Sequence, residues 1–112
     1  MKQYVIDELR PWEYDKIKAY LEEHFKASQV DGIYWVPLAP DCLNQVQAAH
    51  TDCQPHCVAL ELEPDRMTMT FELLVRTLER VRCDCISYAS ESQRNWLIRL
   101  ADEILDELGI IA

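Results

Sequence analysis

The chain has 112 residues, 49% of them hydrophobic and 28% charged, with two glycines and a formal net charge of −9. A chain of this size buries about two-thirds of the surface its unfolded form exposes, enough for one core without help from metal or disulfides. The acidic balance argues against a duplex-binding surface built on phosphate neutralisation, and two glycines leave almost nothing from which to build a phosphate-cradling loop.

In chain order, residues 3–9 (QYVIDEL) are β-rich and apolar enough for a short first strand. The segment 10–28 (RPWEYDKIKAYLEEHFKAS) reads as a helix. Pro11 suits its first position, and Tyr14, Ile17, Tyr20, Leu21 and Phe25 form one apolar stripe. The pair Asp31-Gly32 breaks that pattern, and IYWVPL (33–38) is a second strand that Pro37 confines to its end or to a sheet edge. A short second helix is expected over 40–49, with Leu43, Val46 and Ala49 inward.

Two period-two runs follow. CVALELE (57–63) alternates Val58, Leu60 and Leu62 against Ala59, Glu61 and Glu63. MTMTFELLVR (67–76) turns Met67, Met69, Phe71, Leu73 and Val75 one way. Joined by the turn EPDR, they predict a hairpin. VRCDCISYA (81–89) is a fifth predicted strand, and the segment from Ser90 to Gly109 is a strong amphipathic helix, with Ser90 and Gln93 in a capping-box pattern and Gly109 as its stop.

The order β-α-β-α-β-β-β-α predicts a single α+β domain over 1–112. Its expected architecture is a two-layer sandwich, in which an antiparallel meander of the last three strands is covered on one face by helices. A doubly wound parallel sheet has no room for crossover helices between three consecutive strands. The longest stretch free of Asp, Glu, Lys and Arg is 42–51, far short of a membrane span. Asp7, Glu8 and Arg10 stand where an export signal would be apolar. Five cysteines cannot all pair within one chain, so they read as reduced thiols in a cytoplasm.

The segment HTDCQPHC (50–57) and the later CDC (83–85) gather two of three histidines and four of five cysteines. Cys53, His56, Cys57, Cys83 and Cys85 are therefore candidate zinc ligands, because zinc takes four donors from thiolate and imidazole. The spacing of CDC speaks against it. In an extended strand its two Cα atoms stand about 6.6 Å apart, and two sulfurs on one ion would need a bend or bulge. The simpler reading packs Cys83 and Cys85 as the inward face of the fifth strand. His50, Cys53, His56 and Cys57 sit in a connection with fewer packing duties. Cys42, in the first turn of the expected second helix, is a candidate nucleophile, opposed by neighbouring Asp41. Arg76, Arg80 and Arg82, with Leu74 on the open sheet face, are candidate contact residues for an acidic partner segment or a second copy.

The stretches GIYWVPL, PHCVALEL, ELLVR, RCDCISYA and QRNWL, spanning roughly 32–108, resemble those of a small uncharacterised bacterial protein family. That resemblance implies a bacterial cytoplasmic protein and carries no activity, cofactor or site to any residue. On the sequence, the leading reading is a non-enzymatic cytoplasmic domain, without cofactor, that acts through protein contacts or as a homodimer. It binds neither nucleic acid nor membrane. The alternative is a zinc-binding domain using the Cys and His residues of 50–57 and 83–85, and a third reading is a cysteine-dependent enzyme using Cys42.

Overall fold

The computed structural model describes residues 2–111. The first strand, β1 (Gln3–Ile6), leads into α1 (Pro11–His24), which opens on Pro11 as expected. The Glu13 carboxylate accepts the Arg10 backbone N–H at 2.7 Å, and Ile17 and Leu21 are fully buried. The helix stops four residues before the expected Ser28. Phe25 is already extended, and Lys26–Ala27 form a strand, β2, that pairs with Tyr34 and Trp35 of β3 (Ile33–Pro37). Gly32, at φ 83°, makes this turn fit, since a Cβ there would meet the Leu62 carbonyl oxygen at 2.8 Å.

The expected second helix is broken in two. Pro40–Cys42 form one 3₁₀ turn, and α2 covers only Gln45–Ala49. The cause is Asn44, whose Oδ1 accepts the Gln47 N–H at 2.8 Å while Gln47 Oε1 accepts the Asn44 N–H at 3.1 Å. A helix cap in mid-segment restarts the helix there. The buried face is also not the expected one: Val46 is exposed and Gln47 is fully buried.

The hairpin forms as predicted, with β4 (His56–Glu63) antiparallel to β5 (Thr68–Glu72) and Leu60 opposite Phe71. The expected strand 67–76 is interrupted at Leu73, after which β6 (Leu74–Thr77) continues along β4. Leu73 donates its N–H to Lys2 O and accepts the Ala89 N–H, both at 2.9 Å. Its neighbour on that edge thus changes from β1 to β7.

The fifth predicted strand is the main correction. Only Ser87–Tyr88, β7, is strand, paired with Val75 and Leu74. Residues 78–86 leave the sheet, and Val81, expected inward, is 93% exposed. Thr77 ends β6 by donating its hydroxyl to Cys53 O at 2.6 Å. Then Ile86 N–H reaches Cys83 O at 3.0 Å, so CDC lies in a tight turn. The last helix, α3 (Glu91–Glu107), matches expectation, from the Ser90–Gln93 capping box to Gly109 at φ 71°.

Among the described residues this is an α+β fold of three α-helices and seven strands, all paired antiparallel. The sheet order is β1-β5-β4-β3-β2, with β6 on β4 and β7 on β6. One core joins Ile17 and Leu21 of α1, Leu97, Ala101 and Leu105 of α3, and Val58, Leu60, Met69 and Phe71 of the sheet. Among the described residues no helix is long and apolar enough to cross a membrane.

Candidate metal centre

Two glutamines fix the position of the site. Gln47 and Gln93, both fully buried, each cap their own helix and also meet one another. Gln93 Nε2 donates to Gln47 Oε1 at 2.8 Å and to Cys42 O at 3.1 Å, while Gln47 Nε2 donates to Cys85 O at 3.1 Å. Buried amides must find partners: Gln47 finds one in the backbone of the CDC turn, and Gln93 finds its own in Gln47 and the Cys42 carbonyl. Cys85 is thereby held against α2.

On the other side, the 3₁₀ turn Thr51–Cys53 follows α2 directly. Thr77 holds Cys53 O, Glu79 N–H donates back to the Thr77 hydroxyl at 3.1 Å, and Arg80 pairs with Asp52 at 2.8 Å. These contacts fold the irregular segment 78–86 over the turn. The sulfurs of Cys53, Cys83 and Cys85 all lie within 4.8 Å of one another, and the Cys53 and Cys83 sulfurs are 3.9 Å apart. On a tetrahedral zinc with Zn–S near 2.3 Å, two sulfurs stand about 3.8 Å apart. The turn at CDC supplies the bend that an extended strand would lack.

The thiols are not equivalent. Cys53 and Cys85 are each 1% exposed, whereas Cys83 is half-buried. The Cys83 thiol is held below the ordinary value by hydrogen bonds from the Cys85 N–H and the Cys85 thiol, with smaller help from the Cys53 thiol and the charge of His50. The Cys85 thiol is pushed up to about 12, first by burial and then by donating to Cys83 and Cys53. One negative charge is comfortable here and three are not. A bound cation changes that balance, because it replaces the protons and offsets the repulsion among the thiolates.

His50 closes α2, is half-buried and acts weakly on the Cys83 thiol, but neither ring nitrogen lies within 4.8 Å of all three sulfurs. Its Nδ1 lies 2.6 Å from Val46 O, which can only accept, so Nδ1 carries a proton and Nε2 is the nitrogen a metal would use. His56 is fully buried, and neither ring nitrogen has a hydrogen-bond partner. Burial, with a smaller effect from His50, lowers its pKa and holds the ring neutral.

Not all the expected ligands meet. Cys53, Cys83 and Cys85 form the group; His50, His56 and Cys57 are outside it. Strand alternation turns Cys57 to the opposite sheet face from His56, and burial raises its thiol against the opposing effect of Lys26. Cys42 ends its 3₁₀ turn with its thiol raised by burial and by Asp41. The groove around it is lined by Asp41, Asn44, Ser90, Ser92, Trp96 and Arg99 among others, with no histidine. Arg76 is bound to Glu72 at 2.6 Å, Arg80 to Asp52, and Leu74 is half-buried opposite Tyr88. Arg82 is exposed.

No protein family, no curated protein and no solved structure matches the chain. The two glutamines were the residues that the sequence reading missed as determinants of the site. Their signal was present in the spacing N-x-x-Q at 44–47 and S-x-x-Q at 90–93.

Replacing Gln47 by methionine keeps the volume but strands Cys85 O and the Asn44 N–H. Urea denaturation should show a loss of about 2–4 kcal/mol, against less than about 0.5 kcal/mol for Val46→Ala on the exposed face. Equal losses for the two would contradict the assignment.

Proposed function

We propose that this domain binds a zinc-class divalent ion through the thiolates of Cys53, Cys83 and Cys85, with the Nε2 of His50, which must swing in from outside the sulfur group, as fourth donor. The convergence of three thiols from two distant parts of the chain, Cys53 and the CDC turn, carries this reading. Sulfur-rich, tetrahedral donor sets favour zinc over hard cations such as magnesium or calcium. Three thiolates and a divalent ion carry one net negative charge, and the Arg80 guanidinium stands next to Cys53 and Cys83 to balance it. Four protein donors leave no open position for substrate, so the role is structural: the ion staples segment 78–86, which has little core of its own, to the turn after α2. The domain in this reading is a two-layer sandwich whose metal secures one end, working in a reducing cytoplasm where its five free thiols persist.

A second reading, as a protein-contact domain or homodimer, is favoured by one observation. A groove of about 550 Å³ on the outer sheet face is floored by Ile33, Trp35 and Ala59 and flanked by Val30, Leu78 and Arg76. Apolar floor with a charged rim is the composition of a contact surface. Light scattering should then give a mass above one chain at micromolar concentration, and Trp35→Glu should reduce it to one chain. A single-chain mass for the unaltered protein at all concentrations would remove self-association.

The metal reading has its own test. Protein purified without chelator should carry about one zinc per chain by elemental analysis, and zinc at a hundredfold excess over its Kd should stabilise by about 2.7 kcal/mol. Cys53→Ser, Cys83→Ser and Cys85→Ser should each lose the metal, while Cys42→Ser and Cys57→Ser keep it. His50→Ala should weaken binding roughly tenfold or more. Less than about 0.2 zinc per chain, with no thermal shift on adding zinc or EDTA, would overturn it.

A further inference from the structure

The geometry points to a second function for the same cluster: oxidation through Cys83 closes a Cys53–Cys83 disulfide and releases the ion, so that metal and disulfide are interchangeable staples. This rests on the metal reading. The asymmetry of access is its first support. Cys83 is half-buried at the surface of segment 78–86, while Cys53 and Cys85 are 1% exposed, so an oxidant meets Cys83 first. The second is proximity, since the Cys53 sulfur lies 3.9 Å from that of Cys83, ready to resolve whatever forms there. The third is ring size. Cys83 and Cys85 are two residues apart in one tight turn, where the dihedral near ±90° that a disulfide needs is hard to reach, whereas Cys53 and Cys83 belong to separate segments that can adjust.

With a small disulfide R–S–S–R as oxidant, the Cys83 thiolate attacks one sulfur, forming Cys83–S–S–R and expelling R–S⁻. The Cys53 thiolate then attacks the Cys83 sulfur, forming Cys53–S–S–Cys83 and expelling the second R–S⁻. The two protein sulfurs lose two electrons, and the small disulfide gains them. Stripped of two of its donors, the ion leaves to water, and the Cys85 thiolate takes up one proton. The new bond joins the same two segments that the ion joined. Oxidation therefore exchanges one cross-link for another and leaves the fold intact.

The test uses the full chain loaded with zinc, treated with oxidised glutathione, and followed by a chromophoric zinc chelator and by peptide mapping. One zinc should be released per disulfide formed, the mapped pair should be Cys53–Cys83, and dithiothreitol with zinc should restore the starting state. Cys53→Ser, which is treated without zinc because it lacks a ligand, should stop at a mixed glutathione disulfide on Cys83. The double variant Cys42→Ser, Cys57→Ser keeps all the proposed ligands and should behave as the unaltered chain does. A reduced chain that holds no zinc would overturn the metal reading and the release with it. A zinc-loaded chain that keeps its zinc through oxidation, or that closes Cys83–Cys85 instead, would overturn this inference and leave the metal reading standing.

Discussion

The buried contact between Gln47 and Gln93 is the constraint on which the rest of this end of the molecule depends. Each amide first serves its own helix, accepting the N–H of the cap residue three positions earlier. Each then has donors left over in a place with no water to take them. Gln93 spends its N–H groups on Gln47 and Cys42 O, and Gln47 spends one on Cys85 O. Unpaired, any of these groups would cost roughly 1–3 kcal/mol, so the two helix starts and the cysteine turn must sit where they do. α2 then ends at His50 and runs into Cys53, which sets two corners of the candidate site from the same pair.

How much of this the sequence disclosed depends on whether local pattern or tertiary contact decided the outcome. The β4–β5 hairpin and α3 were legible because period-two alternation, a capping box and a terminal glycine all agree locally. Segment 81–89 misled because Val81, Cys83 and Cys85 alternate with Arg82 and Asp84 just as a strand would. What ended the sheet was the Thr77 hydroxyl reaching Cys53 O, a contact between residues 24 apart in the chain. The same limit hid the inward turn of Gln47 in place of Val46, since hydrogen-bond demand outweighed hydrophobicity there. Correcting the strand to a turn also removed the objection to CDC as a ligand pair.

The site and the sheet have different sources of order. Val58, Leu60, Met69, Phe71 and Leu97 are fully buried and hold the centre by packing. Segment 78–86 is anchored only near its end, where Cys85 is buried and bonded to Gln47: Leu78 and Val81 are exposed, and the ties to the 51–53 turn are the Thr77 hydroxyl just before the segment, an ion pair and the sulfur cluster. The surface ion pair between Arg80 and Asp52 is exposed and screened by solvent, so it adds little. A metal cross-link is the interaction available there with the strength to fix the segment, and it would do so without enlarging the core.

The central claim is that three thiolates share one ion, and X-ray absorption at the zinc edge of the zinc-loaded protein tests it most directly. The account predicts three sulfur neighbours at about 2.3 Å and one nitrogen at about 2.0–2.1 Å, with the nitrogen lost in His50→Ala. A first shell made only of oxygen and nitrogen, or one with fewer than two sulfurs, would contradict it.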